Sequence, residues 1–92
     1  MTVRVKLPTV LQPFAGGSEK VAIEEVTTVG EAFARLEQEH PALRRRLTDE
    51  QGALRRHVNV YLGNDNIRDL DGLDTKLPDG CELLVLPSVA GG

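Results

Sequence analysis

The order of elements along the chain predicts an α+β fold: a sheet with one main helix packed on one of its faces. Three observations lead there. Short stretches around residues 3–7, 20–24, 57–62 and 81–87 alternate or run apolar as strands do. One longer stretch, from Val29 to Leu36, carries apolar residues at helical spacing and lies between the second and third of these. A single helix cannot cover both faces of a sheet, so it must sit on one side.

Val3-Arg4-Val5-Lys6-Leu7 alternates apolar and polar with period two, the mark of a half-buried strand. Pro8 and Pro13 make its continuation to Leu11 irregular or edge-like, because proline cannot donate to a ladder. Phe14-Ala15-Gly16-Gly17-Ser18 signals a turn. Lys20-Val21-Ala22-Ile23-Glu24 reads as the returning strand of a hairpin with a loop of several residues. Thr28-Val29-Gly30-Glu31 then fits a capping box, with the Thr28 side chain accepting from the Glu31 N–H while Glu31 reaches back. Val29, Ala32, Phe33 and Leu36 form one apolar stripe. Pro41 disfavours helical backbone at His40, so the helix has about 11 residues and is ~16 Å long. Its end suits His40, whose ring favours the helix dipole. The segment from Pro41 to Leu54 is charged, with leucines at 43, 47 and 54, and reads as a short helical turn or loop.

His57-Val58-Asn59-Val60-Tyr61-Leu62 alternates again, with Val58, Val60 and Leu62 on one face. Gly63-Asn64-Asp65-Asn66 is a turn, and Ile67-Arg68 is expected as a very short strand. Leu77-Pro78-Asp79-Gly80 is a tight turn with glycine placed for positive φ. In the last strand, Leu83 and Val85 share one face, while Leu84 and Leu86 share the other. Cys81 falls in step with Leu83 and Val85, which predicts a buried, inert thiol rather than a nucleophile.

Composition removes several function classes. A chain of 92 residues holds one domain, with little room for both a fold and a deep catalytic cleft. Eleven basic against 14 acidic residues give a net charge of −3, and there is no Trp, one Tyr and two Phe. Neither the basic surface nor the aromatic platform of a nucleic-acid binder is present. Arg44-Arg45-Arg46 and Arg55-Arg56 are interleaved with leucines and acidic residues, and read as a solvated helical face. One cysteine forms no internal disulfide, the start of the chain shows no secretory pattern, and no run approaches the ~20 apolar residues of a membrane helix. The expected compartment is therefore the reducing cytoplasm, with no membrane partner and a monomer in isolation.

No constellation suggests catalysis or a metal. Two histidines and one cysteine lack ligand spacing. Asp69, Asp71 and Asp74 lack the glycine and spacing of a calcium loop. Gly16-Gly17-Ser18-Glu19-Lys20 lacks the spacing of a phosphate loop. No internal nucleophile–base pair stands out, so no catalytic residue, no metal site and no bound cofactor are expected.

What does stand out is the ending, Val89-Ala90-Gly91-Gly92, directly behind the last strand. Residues 1–87 are expected to form the globular body and 88–92 a flexible tail. Glycine passes a narrow channel and leaves its own carbonyl open to attack, which suits a C-terminus that another enzyme pulls in and activates. A frayed end is the competing reading. Leu84 and Leu86, with Tyr61 and Pro87, are candidates for an exposed apolar docking surface, though scattered apolar residues are common on any surface.

The strand–strand–helix–strand–strand order ending in Gly-Gly resembles the ubiquitin-like β-grasp fold, a mixed sheet with a protruding C-terminal tail. The Val-Ala-Gly-Gly ending, with Thr28–Glu31, Val58-Asn59-Val60 and Leu77–Gly80, resembles the MoaD/ThiS family of sulfur-carrier proteins. Leu7-Pro8-Thr9-Val10-Leu11-Gln12-Pro13 and Gly16-Gly17 are most similar to its CysO branch, which serves thiocarboxylate-dependent cysteine synthesis. The resemblance implies a protein co-substrate, not an enzyme. An E1-like adenylyltransferase of the MoeB/ThiF kind, using ATP, would convert the Gly92 carboxylate to an acyl-adenylate. Ser88, Val89, Ala90 and Gly91 would be the segment threaded into that partner. A sulfur source would displace AMP and leave a Gly92 thiocarboxylate. A pyridoxal-phosphate cysteine synthase would use that sulfur with O-phosphoserine, and a metalloprotease would free the cysteine. The molybdopterin and thiamin-thiazole routes, and isopeptide conjugation to lysines, are the alternatives.

Overall fold

The computed structural model describes residues 2–87. Its strands are β1 (Thr2–Lys6), β2 (Lys20–Glu24), β3 (Val58–Leu62), β4 (Asp65–Asn66) and β5 (Glu82–Pro87), and its helices are α1 (Val29–Glu39) and α2 (Arg44–Leu47). They form one sheet in the order β2-β1-β5-β3-β4. The two central strands, β1 and β5, run parallel, and every other neighbouring pair is antiparallel. First and last strands therefore lie side by side, with α1 in the chain that connects them.

The alternation in sequence becomes two distinct sheet faces. Val3, Val5, Ile23, Val60, Leu83 and Val85 are each at most 1% exposed on the inner face. The α1 stripe of Val29, Ala32, Phe33 and Leu36 covers them. Burying a side chain such as Phe33 contributes about 1.5–3 kcal/mol.

The start of α1 is fixed by local chemistry. The Thr28 hydroxyl accepts from the Glu31 N–H at 3.2 Å. The Glu31 carboxylate reaches back as expected, but lands on Thr27, accepting from its N–H at 2.7 Å and its hydroxyl at 2.9 Å. Those two donors, the N–H first, hold the Glu31 carboxyl below its ordinary value. Gly30 follows the cap because space is short: a Cβ there would stand 3.1 Å from the Leu73 carbonyl oxygen. The helix stops at Glu39, and the His40 N–H donates to the Leu36 carbonyl at 2.8 Å.

Three segments depart from the expectation. Gln12–Ala15 is a 3₁₀ turn with Pro13 in its first turn, where a missing N–H costs nothing. It seats Leu11 and Ala15 on the core, and the Gln12 amide donates to the Leu7 carbonyl at 3.1 Å. Pro41–Leu43 and α2 form the helical turn, but it is not peripheral: Leu43 and Leu47 are fully buried. The Thr48 hydroxyl, donating to the Glu37 carboxylate at 2.6 Å, ties this segment to α1. Lastly, the very short strand is Asp65–Asn66, not Ile67-Arg68. The Asn66 side chain accepts from the Arg68 N–H at 3.0 Å and turns the chain into a 3₁₀ turn at Ile67–Asp69, which buries Ile67 instead of pairing it.

Candidate functional site: the outer sheet face and the end of β5

The turn before β5 aims that strand. Gly80 has φ +80°, the left-handed region closed to most side chains, and its N–H donates to the Thr2 carbonyl at 2.8 Å. The Asp79 carboxylate accepts from the Thr2 N–H at 3.0 Å. The turn thus locks the beginning of β5 to the beginning of β1. From there β5 runs through the sheet centre and ends at Pro87, which pairs with Val58 at the start of β3.

On the outer face, register sets Leu84 opposite Tyr61 and Leu86 opposite Asn59. Leu86 is 39% exposed, while Tyr61 and Leu84 are half-buried. Pro87 takes the inner-face register position opposite Val58, unlike the other three candidates, and its side chain is outside the described set. Ser88, Val89, Ala90, Gly91 and Gly92 also lie outside the described residues.

The outer face divides lengthwise. Arg4, Lys6, Lys20 and Glu82 make its β1–β2 side charged, with Lys20 and Glu82 paired at 3.2 Å. Both partners are nearly half exposed, so this pair adds little stability. On the other side, the Asn59 amide oxygen accepts from Arg68 at 3.0 Å and from Asn66 at 3.3 Å, and Arg68 also donates to the Arg55 carbonyl at 2.7 Å. Sequence reasoning missed this cluster beside Leu86. Its one sequence signal is an asparagine at an outer position of an otherwise apolar strand.

Cys81 precedes β5 and packs against the core edge, but it is only half-buried, because the chain has not yet entered the sheet. Burial pushes its thiol up, its own backbone N–H pulls down, and Asp79 adds to the rise. His57 is exposed and lies just before β3 rather than within it. Among the described residues no group of three or more His, Cys, Asp or Glu side chains comes together as a metal site. No described helix is long and apolar enough to cross a membrane.

A mixed sheet in the order β2-β1-β5-β3-β4 holding one main helix defines the ubiquitin-like β-grasp class. Within that class, the chain belongs to the ThiS family, the sulfur carriers of the ThiS/MoaD type, whose family model matches residues 5–92. The sulfur carrier protein CysO of Mycobacterium tuberculosis is 37% identical over 94 residues, spanning all of both chains. Small archaeal modifier protein 3 of Haloferax volcanii is 40% identical over 70 residues, covering 76% of this chain and 75% of its own. A chain in the crystal structure of the Amycolatopsis orientalis BexX/CysO complex superposes with a TM-score of 0.86 at 37% identity, covering 98% of this chain and 99% of that one. These relatives are small carriers and modifiers rather than enzymes, and this chain is a sulfur carrier of the same kind.

Proposed function

We propose that this carrier transports sulfur as a thiocarboxylate on Gly92 and delivers it to cysteine synthesis. The observation that carries the reading is the match to CysO, which runs through Gly92 and spans the whole of both chains. The geometry is consistent with it. The central strand β5 ends at Pro87, and the five residues after it span at most ~17 Å when extended, enough to enter a partner's active site.

A carboxylate is a poor electrophile. In the proposed chemistry a Gly92 carboxylate oxygen attacks the α-phosphorus of ATP, pyrophosphate leaves, and the acyl-adenylate forms. A sulfide-level donor then displaces AMP. ATP and pyridoxal phosphate belong to the partners: an E1-like adenylyltransferase and a cysteine synthase acting on O-phosphoserine. The apolar residues of the outer face, Tyr61, Leu84 and Leu86, form the proposed docking surface, and the cytoplasm is the proposed compartment. That one structural neighbour is a chain of the BexX/CysO complex supports docking of such a carrier on a separate protein.

The test is pyrophosphate release with ATP and the adenylyltransferase of the same organism. Wild type should release it, and a chain lacking Gly91 and Gly92 should not. Activity in the truncated chain would refute the reading. The 40% identity to a modifier protein supports a second use of the same adenylate, isopeptide conjugation to lysines. A high-mass ladder on a blot against the carrier would reveal it.

A further inference from the structure

A small hollow opens on the helix side of the sheet, beside the point where β5 ends. It measures about 250 Å³ and is lined by Val10, Leu11, Phe14, Arg46, His57 and Val58. Val58 is the residue that pairs with Pro87, so the hollow lies beside the end of β5, on the face opposite Leu86. Buried Leu11 and Val58 contribute its apolar lining. Val10 is 63% exposed, the most exposed large apolar side chain among the described residues.

The polar side is equally particular. The Arg46 guanidinium lies over the Phe14 ring, 3.6 Å from its centroid. The Arg46 side chain is exposed and makes no hydrogen bond or ion pair among the described residues, which leaves its N–H donors available to a partner. Nearby arginines behave differently: Arg55 donates to the Arg45 carbonyl and Arg68 to the Arg55 carbonyl, so both hold the fold. No acidic side chain lines the hollow, in a chain whose net charge is −3. The volume falls below the roughly 300–1,000 Å³ of small-molecule sites, so it suits a side chain rather than a whole ligand.

We propose that this hollow is a second docking point for the protein that receives the tail. An aliphatic or aromatic side chain of that partner enters the hollow, and a carboxylate next to it pairs with Arg46. The proposal rests on the carrier reading above. Together with Leu86 on the other face, it lets the partner straddle the end of β5.

The test measures the Kd of the full chain for the adenylyltransferase of the same organism, at low and high salt. Val10→Asp sets a carboxylate on the exposed rim, and Arg46→Glu reverses the charge. Lys76→Glu makes the same change in net charge outside the hollow. Each of the first two should raise Kd at least tenfold, Arg46→Glu should also flatten the salt dependence, and Lys76→Glu should stay within twofold. Melting temperatures guard against unfolding, and Val10→Asp, at an exposed site, keeps the test open if Arg46→Glu disturbs Phe14. A Kd within twofold of wild type for folded Val10→Asp overturns the proposal. If wild type is adenylated and Val10→Asp binds normally, the hollow alone is refuted. If wild type is neither bound nor adenylated, the carrier reading falls and takes the hollow with it.

Discussion

Val85 and Leu86 are adjacent, yet an aspartate at each should have opposite consequences. Val85 is fully buried and pairs with Val60, which is also fully buried. Val85→Asp would lose about 1.5–3 kcal/mol of apolar burial. It would also place a carboxylate where the surroundings offer no donor, at a further cost of about several kcal/mol. A domain of this size has about 5–15 kcal/mol in total, so the variant should be largely unfolded. Leu86 is already 39% exposed. Replacing it loses at most about three-fifths of a full leucine's burial, about 1–2 kcal/mol, and the new carboxylate stays in water. Urea unfolding followed by circular dichroism separates the two. Leu86→Asp should keep a cooperative transition with its midpoint lowered by about 1 M, and Val85→Asp should show none. Leu86→Asp should also weaken binding to the adenylyltransferase, because a charge would enter a desolvated contact. A folded Val85→Asp beside an unfolded Leu86→Asp would mean the two faces are assigned backwards.

Glu31 makes stability depend on pH. Hydrogen bonds from Thr27 lower its folded value below the ordinary 4.5, so its contribution is present above that value and is lost as pH falls through the folded one. The melting-temperature advantage of wild type over Glu31→Gln should be full near pH ~6 and shrink below about pH 4.5; a pH-independent gap would refute this. Gly80→Ala should cost about 1–2 kcal/mol in chemical denaturation, since φ is +80° although the space is open; an unchanged midpoint would contradict it. Brief alkylation of sulfur-loaded carrier near pH ~5.5 should label the C-terminal peptide and spare Cys81, whose thiol burial pushes up; label on Cys81 would count against the thiocarboxylate. Cys81→Ala should cost about 1 kcal/mol and leave sulfur loading intact; loss of loading in a folded variant would give the thiol a chemical role.

Elements with strong local signals were legible in the chain. The limits of α1 follow from Thr28, Glu31 and Pro41, and the two faces of β5 from alternation alone. Where the local signal was weak, tertiary partners decided. Ile67 is apolar and β-branched and reads as a strand, but the Asn66 side chain captures the Arg68 N–H and turns the chain inward. Arg44, Arg45 and Arg46 form the solvated helical face that the sequence predicts, but Arg55 and Arg56 lie outside any helix, and only the tertiary structure carries Leu43 and Leu47 into the core. Cys81 has the periodicity of a core residue but stands one position before the ladder begins, and so is only half-buried.

By itself the sequence determined the composition of each face and the places where the backbone turns, because side-chain period, capping and glycine or proline geometry are local properties. It also placed a Gly-Gly pair behind an apolar strand. Only the tertiary structure decided that β5 lies between β1 and β3, that Pro87 pairs with Val58, and that Val10, Phe14, Arg46 and His57 meet beside that strand end. Those are pairings between residues tens of positions apart, and no local propensity encodes them. They are settled when burial of one shared core selects the register.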